Sequence, residues 1–267
     1  MLMYINRNLR NEMEIISGYY TDKGICKENN QDSICLKVAT TSIGTITMAV
    51  LCDGMGGLNN GEIASAIAVQ VFSQWFDYRL PALLEPFSLE SITNQIKEQM
   101  WEANGRILSY GRRNHLRMGT TCSVLFLIHD YFYIIVHIGD TRIYELKGDI
   151  KLMTRDHTLV EREVSLGHLT PTQARTDRRR NILLQCLGDK ESIHPQVTSG
   201  QIKKDSVYLL CSDGFYQQCL NKDFSELLPE NIISEECITK RLKKLILMCR
   251  ERKEKDDITT IVIRIMA

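Results

Sequence analysis

The sequence is short of the features that mark membrane, secreted and nucleic-acid-binding proteins. It has no apolar run near the roughly 18 residues that cross a bilayer, and its first residues lack an apolar stretch of signal-peptide length. Lys and Arg together number 33, and Asp and Glu together also number 33, so there is no basic excess that would favour nucleic acid. We therefore expect a cytoplasmic protein that binds neither a membrane nor nucleic acid.

Several binding and catalytic motifs are absent as well. None of the nine cysteines forms a C-x-x-C pair, and several lie in apolar runs, which indicates free thiols buried as small hydrophobic residues. The glycine-rich stretch 53–62 fails the dinucleotide pattern because Asn59 stands where the third glycine is needed. No phosphate-binding G-x-x-x-x-G-K-[ST] loop, G-x-S-x-G elbow or H-E-x-x-H pair occurs. Serine hydrolase chemistry and a zincin site are therefore unsupported.

Proline is scarce, with five in 267 residues, and no repeat or Ser/Gly-rich linker divides the chain. We therefore expect one domain over residues 1–267. Short segments rich in β-branched and aromatic residues predict strands at 44–52, 120–128, 131–138, 206–211 and 258–265, with weaker candidates at 32–38 and 142–146. Apolar stripes at helical spacing predict helices at 60–78, 89–109 and 235–252.

The order of these elements favours antiparallel sheets with helices packed outside them, because strands and helices do not alternate regularly. The strands at 120–128 and 131–138 are separated by about one residue, which predicts a tight hairpin. The stretch 156–191 is polar and has no strand pattern, although Thr170 and Pro171 predict the start of a short helix. An excursion of this length is often a functional lid.

Aspartates stand where four of the apolar strands end or begin, at Asp53, Asp140, Asp213 and Asp256. In an antiparallel sheet the exit of one strand and the entrance of its neighbour share an edge, so these carboxylates could converge. Converging carboxylates repel unless they are protonated or share cations, and oxygen ligands prefer Mg²⁺ or Mn²⁺. A single Asp-Gly after a strand is ordinarily a turn. Four such sites in one chain favour a metal centre.

The motifs, taken in order, resemble those of the type 2C, or PPM, metal-dependent protein phosphatases, particularly the compact bacterial members. The matching blocks are TDKGICKENNQDS (21–33), LCDGMGGLNNGEIAS (51–65), MGTTCSVL (118–125), HIGDTRIYEL (137–146), LMTRDHT (152–158), LLCSDGFY (209–216) and DDITTIVI (256–263). The resemblance implies an α+β fold in which two stacked antiparallel β-sheets are flanked by α-helices, an αββα sandwich.

The resemblance also implies a two-metal site with two Mn²⁺ or Mg²⁺ ions roughly 3.5–4 Å apart that activate water against a phosphate ester. Asp53 would bridge both ions, and the Gly54 carbonyl would bind one of them. Asp213 and Asp256 would bind the other ion, and Asp32 would contact the second metal directly or through water. Asp140, with Asp213, would hold a third and weaker ion. Asp53, Asp32 and Asp140 are thus the expected catalytic residues.

Three residues depart from the family pattern. Lys27 stands where the family usually has a phosphate-binding arginine, so the charge is kept and the bidentate fork is lost. Met55 replaces a histidine of the animal enzymes, and Gln31 replaces an acidic residue, as in many bacterial members. The excursion at 156–191 corresponds to a mobile flap of bacterial relatives. Its run Arg178–Arg180 is either a solvated basic loop or an attractor of phosphorylated segments.

The expected function is the hydrolysis of phosphoserine and phosphothreonine on proteins by a monomeric enzyme, in opposition to a bacterial Ser/Thr kinase. Two alternatives stay open at this stage. One is a metal-binding pseudophosphatase with a regulatory role, which loss of Asp53, Asp213 or Asp256 would favour; all three are present. The other is a phosphatase of a small phosphate ester.

Overall fold

The computed structural model of the chain describes residues 14–25, 27–55, 60–128 and 131–266. Its strands are β1 (Ile15–Asp22), β2 (Asp32–Thr41), β3 (Gly44–Met55), β4 (Gly119–Thr120), β5 (Cys122–Ile128), β6 (Phe132–Ile138), β7 (Arg142–Lys147), β8 (Asp149–Leu152), β9 (Gln196–Gln201), β10 (Val207–Cys211) and β11 (Ile258–Ile265). Its α-helices are α1 (Gly61–Gln74), α2 (Leu89–Asn114), α3 (Leu159–Ser165), α4 (Pro171–Thr176), α5 (Asp213–Tyr216) and α6 (Glu235–Glu251). A π-helical turn covers Trp75–Arg79, and 3₁₀ turns cover Leu80–Leu83, Asp223–Leu227 and Pro229–Asn231.

The strands form two antiparallel sheets. The first sheet has the order β1-β11-β10-β7-β8, and the second has the order β2-β3-β5-β6-β9 with β4 paired to β3. The predicted hairpin is present, because β5 and β6 pair from Cys122↔Ile138 to Ile128↔Phe132. Its turn, with Asp130, lies outside the described residues.

The two sheets pack face to face over a layer of buried aliphatic side chains. Alternation along each strand sends every second side chain into this layer. Its fully buried members from the second sheet include Leu51, Leu125 and Ile135, and those from the first sheet include Leu210 and Ile261. The predicted stacked-sheet architecture is therefore confirmed.

Helices cover the outer face of each sheet. Ile96, Met100 and Ala103 of α2 are buried against the second sheet, as their stripe predicts. On the other side, Leu242 and Ile246 of α6 are buried against the first sheet. Both helices begin at a serine whose hydroxyl accepts a backbone N–H, Ser88 for α2 and Ser234 for α6. The layers thus run helix, sheet, sheet, helix.

The polar excursion at 156–191 contains the two short helices α3 and α4. Thr170 and Gln173 form a complete capping box at the start of α4, with Pro171 in its first turn, as the sequence predicts. Two isolated bridges, Thr158↔Leu183 and Thr120↔Leu187, connect the excursion to itself and to β4. Within the described ranges, no helix has both the length and the apolar character that a membrane crossing needs.

Candidate metal centre

Two aspartates of the second sheet face each other across neighbouring strands. Asp32 opens β2 and pairs in register with Asp53 near the end of β3. The backbone of Asp53 is fixed by Thr121, whose hydroxyl accepts the Asp53 N–H at 2.9 Å and whose N–H donates to the Asp53 carbonyl at 2.9 Å. Strand pairing therefore puts both carboxylates at one edge of this sheet.

At the corresponding end of its strands, the first sheet carries two more aspartates. Asp213 follows β10 and opens α5, and Asp256 comes just before β11. Because Cys211 pairs with Thr260, the end of β10 lies beside the start of β11. The N–H of Thr259 donates to the Ser212 hydroxyl at 2.9 Å, which fixes the two segments to each other.

The charges show that the two edges meet at the same end of the sandwich. Burial raises the pKa of the Asp53 carboxyl well above its usual range, and four other carboxylates add to the effect: Asp32, Asp213, Asp140 and Asp256. Burial also raises the pKa of Asp213 to about 7, with Asp256 as the next cause. Like charges gathered in a buried place each make ionisation of the others harder.

Asp32 is the carboxylate of this group whose two oxygens both lack a hydrogen-bond partner among the described residues. Burial, with help from Asp257 and Asp213, raises its pKa to about 7. The hydroxyls of Ser212 and Thr259 oppose the rise, although neither makes a hydrogen bond of ordinary geometry to Asp32. Both Asp32 carboxylate oxygens, and Oδ1 of Asp213, are buried without a hydrogen-bond partner among the described residues.

Asp140 lies beside this group at the end of β6, and it is 7% exposed. Burial, then Asp213, then Asp156 raise its pKa well above the usual range, while Arg142 opposes the rise. Arg142 is itself bound to Asp156, with Nη2 to Oδ2 at 2.7 Å and Nε to Oδ1 at 3.0 Å. The guanidinium also stacks on the Tyr216 ring, 3.7 Å from the centroid.

Two glycines let backbone segments approach the centre closely. A Cβ on Gly54 would lie 2.2 Å from the Gly61 carbonyl oxygen and 2.5 Å from that of Gln31. A Cβ on Gly214 would lie 2.3 Å from the Asp257 carbonyl oxygen. Any larger residue at either place would displace the backbone segments that pack beside Asp53 and Asp213.

Lys27 brings a positive charge to the carboxylates. Its ammonium forms a short ion pair with Asp256 and lies 3.1 Å from Oδ2 of Asp257. Burial alone would lower the pKa of Lys27, but hydrogen bonds and attraction from these two carboxylates outweigh it and raise the pKa. The sequence predicts Lys27 as a phosphate contact, and the structure places it directly at the cluster.

The residues present fit divalent cations. The donors are oxygen atoms, several are buried and unpartnered, and their mutual repulsion calls for more positive charge than Lys27 supplies. The carboxylates lie near one another but not at ligand distance from a common point. Among the described residues, no three His, Cys, Asp or Glu side chains form a ready ligand set. The arrangement suits ions that draw the carboxylates together.

Sequence reasoning missed Asp257 and Asp156. Asp257 is 2% exposed and accepts hydrogen bonds from Gly24 N at 2.7 Å and Gln31 N at 2.9 Å. A signal for it existed in the doublet Asp256-Asp257, but only Asp256 was assigned. Arg179, in the basic run of the excursion, is paired with Asp177 at 2.8 Å, so part of that run's charge is already engaged.

Comparison with known proteins gives consistent matches. A sequence profile described as "Protein phosphatase 2C" matches residues 26–257. The chain is 32% identical over 221 residues to protein phosphatase PhpP of Streptococcus pneumoniae, across 79% of this chain and 83% of that protein.

Solved structures share the fold. The Mycobacterium tuberculosis serine/threonine phosphatase PstP/Ppp superposes with a TM-score of 0.80 at 25% identity, over 95% of this chain and 99% of that chain. The catalytic domain of serine threonine protein phosphatase PstP in complex with two manganese ions superposes with a TM-score of 0.74 at 24% identity, over 95% and 100%. The two-sheet architecture of this chain is thus that of these phosphatases.

Proposed function

The chain belongs to the protein phosphatase 2C family, and from that premise we propose that it hydrolyses phosphoserine and phosphothreonine esters on proteins with a pair of divalent cations. One observation carries the proposal. Carboxylates from both sheets converge at one end of the sandwich, and buried oxygens of Asp32 and Asp213 have no partner among the described residues. A purely structural cluster would have paired these buried oxygens with hydrogen-bond donors.

Each residue of the centre has a part in this proposal. Asp53 would be the ligand shared by both ions, because the charges of the other four aspartates all act on it. The other ligands from the second sheet would be the Gly54 carbonyl and Asp32. The ligands from the first sheet would be Asp213 and Asp256. Asp140 would hold a third and weaker ion together with Asp213, whose charge is the largest effect on Asp140 after burial.

Bound divalent cations supply the Lewis-acid charge that acidifies water and neutralises phosphate oxygens. The chain's own residues orient and balance this chemistry. Lys27 offers N–H donors to the phosphate, and Thr121 and Ser212 keep the Asp53 and Asp213 segments in place. Met55 offers no proton, so the proton for the leaving serine or threonine oxygen must come from elsewhere in the centre.

The decisive experiment is phosphate release from a phosphothreonine peptide with Mn²⁺, with Mg²⁺ and with a chelator. We expect turnover with one or both metals and none after exhaustive chelation, and the same assay decides which ion is preferred. Asp53→Asn should abolish both turnover and tight metal binding by calorimetry. The exposed strand residue Asp149 gives the matched control, since Asp149→Asn should change neither. Full activity after chelation would refute the two-metal proposal.

The same assay separates the alternatives. Metal binding without hydrolysis of any phosphate ester would indicate a regulatory pseudophosphatase. Rapid turnover of a small phosphate ester, with none of a phosphopeptide, would indicate a small-molecule enzyme.

A phosphoprotein substrate requires a kinase to make it, so we also propose that the enzyme opposes a Ser/Thr kinase. The cysteines that the structure describes are free thiols, which supports a cytoplasmic location. We keep the monomer as part of the proposal, and light scattering tests it.

A further inference from the structure

Two segments of the chain bring Lys27 and Asp256 together. The described residues 23–25 and 27–31, between β1 and β2, carry Lys27, and residues 254–257, before β11, carry Asp256. The segments also pack tightly, because a Cβ on Gly24 would lie 2.5 Å from the Lys255 carbonyl oxygen. Two side chains connect them, Arg250 and Asp257, and they do so in different ways.

Arg250 connects the segments through their backbones. Its Nη1 donates to the carbonyl oxygens of Asp256 at 2.7 Å and Glu254 at 3.1 Å. Its Nη2 donates to the carbonyl oxygens of Lys23 at 2.9 Å and Asp22 at 3.1 Å. Its Nη2 also lies 3.2 Å from Oδ1 of Asp22, so Arg250 fixes the distance between the segments through contacts that do not involve the Lys27 side chain.

Asp257 connects the segments and also binds the ammonium group of Lys27. Its carboxylate accepts from Gly24 N at 2.7 Å, from Gln31 N at 2.9 Å and from Lys27 Nζ at 3.1 Å. The side chain is 1% exposed, so these partners replace water. The Lys27 side chain is 27% exposed, which leaves its ammonium reachable from outside.

We propose that Asp257 is a positioning residue for Lys27: its carboxylate holds the lysine ammonium at the metal centre, where the substrate phosphate arrives. This inference rests on the proposed function, in which Asp256 is a metal ligand and Lys27 contacts the phosphate. In that function the Asp256 carboxylate would turn toward a metal, which would leave Asp257 as the lasting partner of Lys27. A lysine side chain has a large rotamer entropy, and ordering it before the substrate binds removes that cost from the binding step.

The test is a double-mutant cycle on phosphothreonine-peptide hydrolysis. Asp257→Asn keeps the size of the side chain but removes its charge and at least one acceptor. We expect a KM raised about tenfold, which corresponds to 1.4 kcal/mol, with kcat much less affected. In a Lys27→Ala background the same substitution should add almost nothing, since the group it positions is gone.

The matched control is Arg250→Gln, which loosens the same two segments without touching Lys27. If Asp257 only supports structure, Asp257→Asn will resemble Arg250→Gln and will keep its full effect in the Lys27→Ala background; that result overturns the positioning role. An unchanged or lowered KM for Asp257→Asn overturns it as well. Absence of turnover by the wild type would instead count against the proposed function.

Hydrogen exchange gives a readout that needs neither metal nor substrate. The amides of Gly24 and Gln31 donate to different oxygens of Asp257, and asparagine keeps only one acceptor oxygen, so at least one of the two amides should exchange faster in Asp257→Asn than in the wild type. Unchanged exchange at both amides would show that the contact is absent in solution and would overturn the proposal. If Asp257→Asn does not fold, Asp257→Glu keeps the charge and displaces the carboxylate, and the same cycle applies to it.

Discussion

At the scale of single residues, Lys27 combines two tasks that arginine and lysine perform differently. It balances Asp256 and Asp257 in the free protein, and in the proposed function it also binds the substrate phosphate. Its ammonium is a compact point charge, whereas a guanidinium would offer a planar fork that matches two phosphate oxygens.

We predict that Lys27→Ala raises KM for a phosphothreonine peptide, because it loses a charge-assisted contact that contributes about 1.5–3 kcal/mol. Lys27→Arg should keep or improve activity. Steady-state kinetics with Mn²⁺ measures both. Lys23 is an exposed lysine of the same segment, and Lys23→Ala serves as the control. Unchanged kinetics for Lys27→Ala would make Lys27 an electrostatic partner of the cluster only.

Asp140 provides the second prediction at this scale. If it supports the third ion and thereby the proton donor, Asp140→Ala should lower kcat by roughly 10²–10⁴-fold on a phosphopeptide. The loss should be far smaller on an activated aryl phosphate, whose leaving group departs without a proton. Metal titration by calorimetry should retain the tight sites and lose a weak one. Equal losses on both substrates, or no loss on either, would leave Asp140 as a structural residue.

The candidate site was only partly predictable from the sequence. Asp53 and Asp213 stand out because apolar strands lead directly into Asp-Gly. Asp32 has no such signal and is found through family resemblance alone. Asp257 was not assigned because its partner Gly24 lies 233 positions away, and a lone sequence does not show which backbone amides a carboxylate will meet.

At the scale of structural elements, the excursion 156–191 begins at a strong anchor. Asp156 is held by the Arg142 fork from β7, and Arg142 is held in turn by the Tyr216 ring and by the Tyr144 hydroxyl at 3.2 Å. The next residues help to line a cavity of about 460 Å³ between the excursion and β9. The Arg142–Asp156 pair therefore fixes the position of the residues after Asp156 that line the cavity.

We predict that Arg142→Lys loosens the excursion, because lysine cannot reproduce the fork or the stacking. The cost should be about 1–3 kcal/mol. Limited proteolysis should cut the variant faster within 156–191, and denaturant unfolding should show the lost stability. Arg155 pairs with Glu161 on the exposed side of the same region, so Arg155→Lys is the control. Equal cutting rates in both variants would contradict the anchoring role.

Secondary structure was predicted well in the sheet interiors and poorly at the sheet edges. The strands that the sequence did not indicate are β1, β8 and β9, and all three are edge strands. The fourth edge strand, β2, appeared only as a weak candidate, and the interior strand β7 is the exception, since it was also a weak candidate. An edge strand that leaves one face in water lacks the continuous apolar run that marks central strands such as β5 and β10. The short helix α3 was hidden for a similar reason, since only Val160 in it is buried.

At the scale of the whole molecule, His137 links stability to pH. It lies on β6, fully buried, with its ring 5.2 Å from that of His157 and its Nδ1 2.8 Å from the Ser123 hydroxyl. Burial, and to a lesser extent His157, lowers the pKa of His137 to about 3. The folded protein therefore keeps this ring neutral at pH values where an unfolded chain protonates it.

We predict that His137 lowers the free energy of unfolding as the pH falls from 6.5 toward 3, while the raised pKa values of the buried aspartates act in the opposite direction. The unfolded chain gains the proton first, so this histidine accounts for about 2 kcal/mol between pH 7 and pH 5. Denaturant unfolding of the wild type and of His137→Gln at the two pH values isolates this effect, because the aspartates contribute to both proteins. Relative to the wild type, the variant should gain about 2 kcal/mol on going from pH 7 to pH 5. The exposed His194 supplies the control variant, His194→Gln. A pH dependence that His137→Gln leaves intact would show that other groups cause it.

The pairing of β1 with β11 has a consequence for how the protein is made. β11 lies between β1 and β10, and its register with β1 runs from Ile15↔Ile265 to Asp22↔Ile258. Among the described strands β11 is synthesised last, so β1 waits through the synthesis of nine others, β2 to β10, before its neighbour exists. Asp256 emerges just before that strand. A nascent chain that stops short of β11 therefore has an incomplete first sheet and an incomplete carboxylate cluster. We expect such a chain to have no phosphatase activity until Asp256 and β11 have been synthesised.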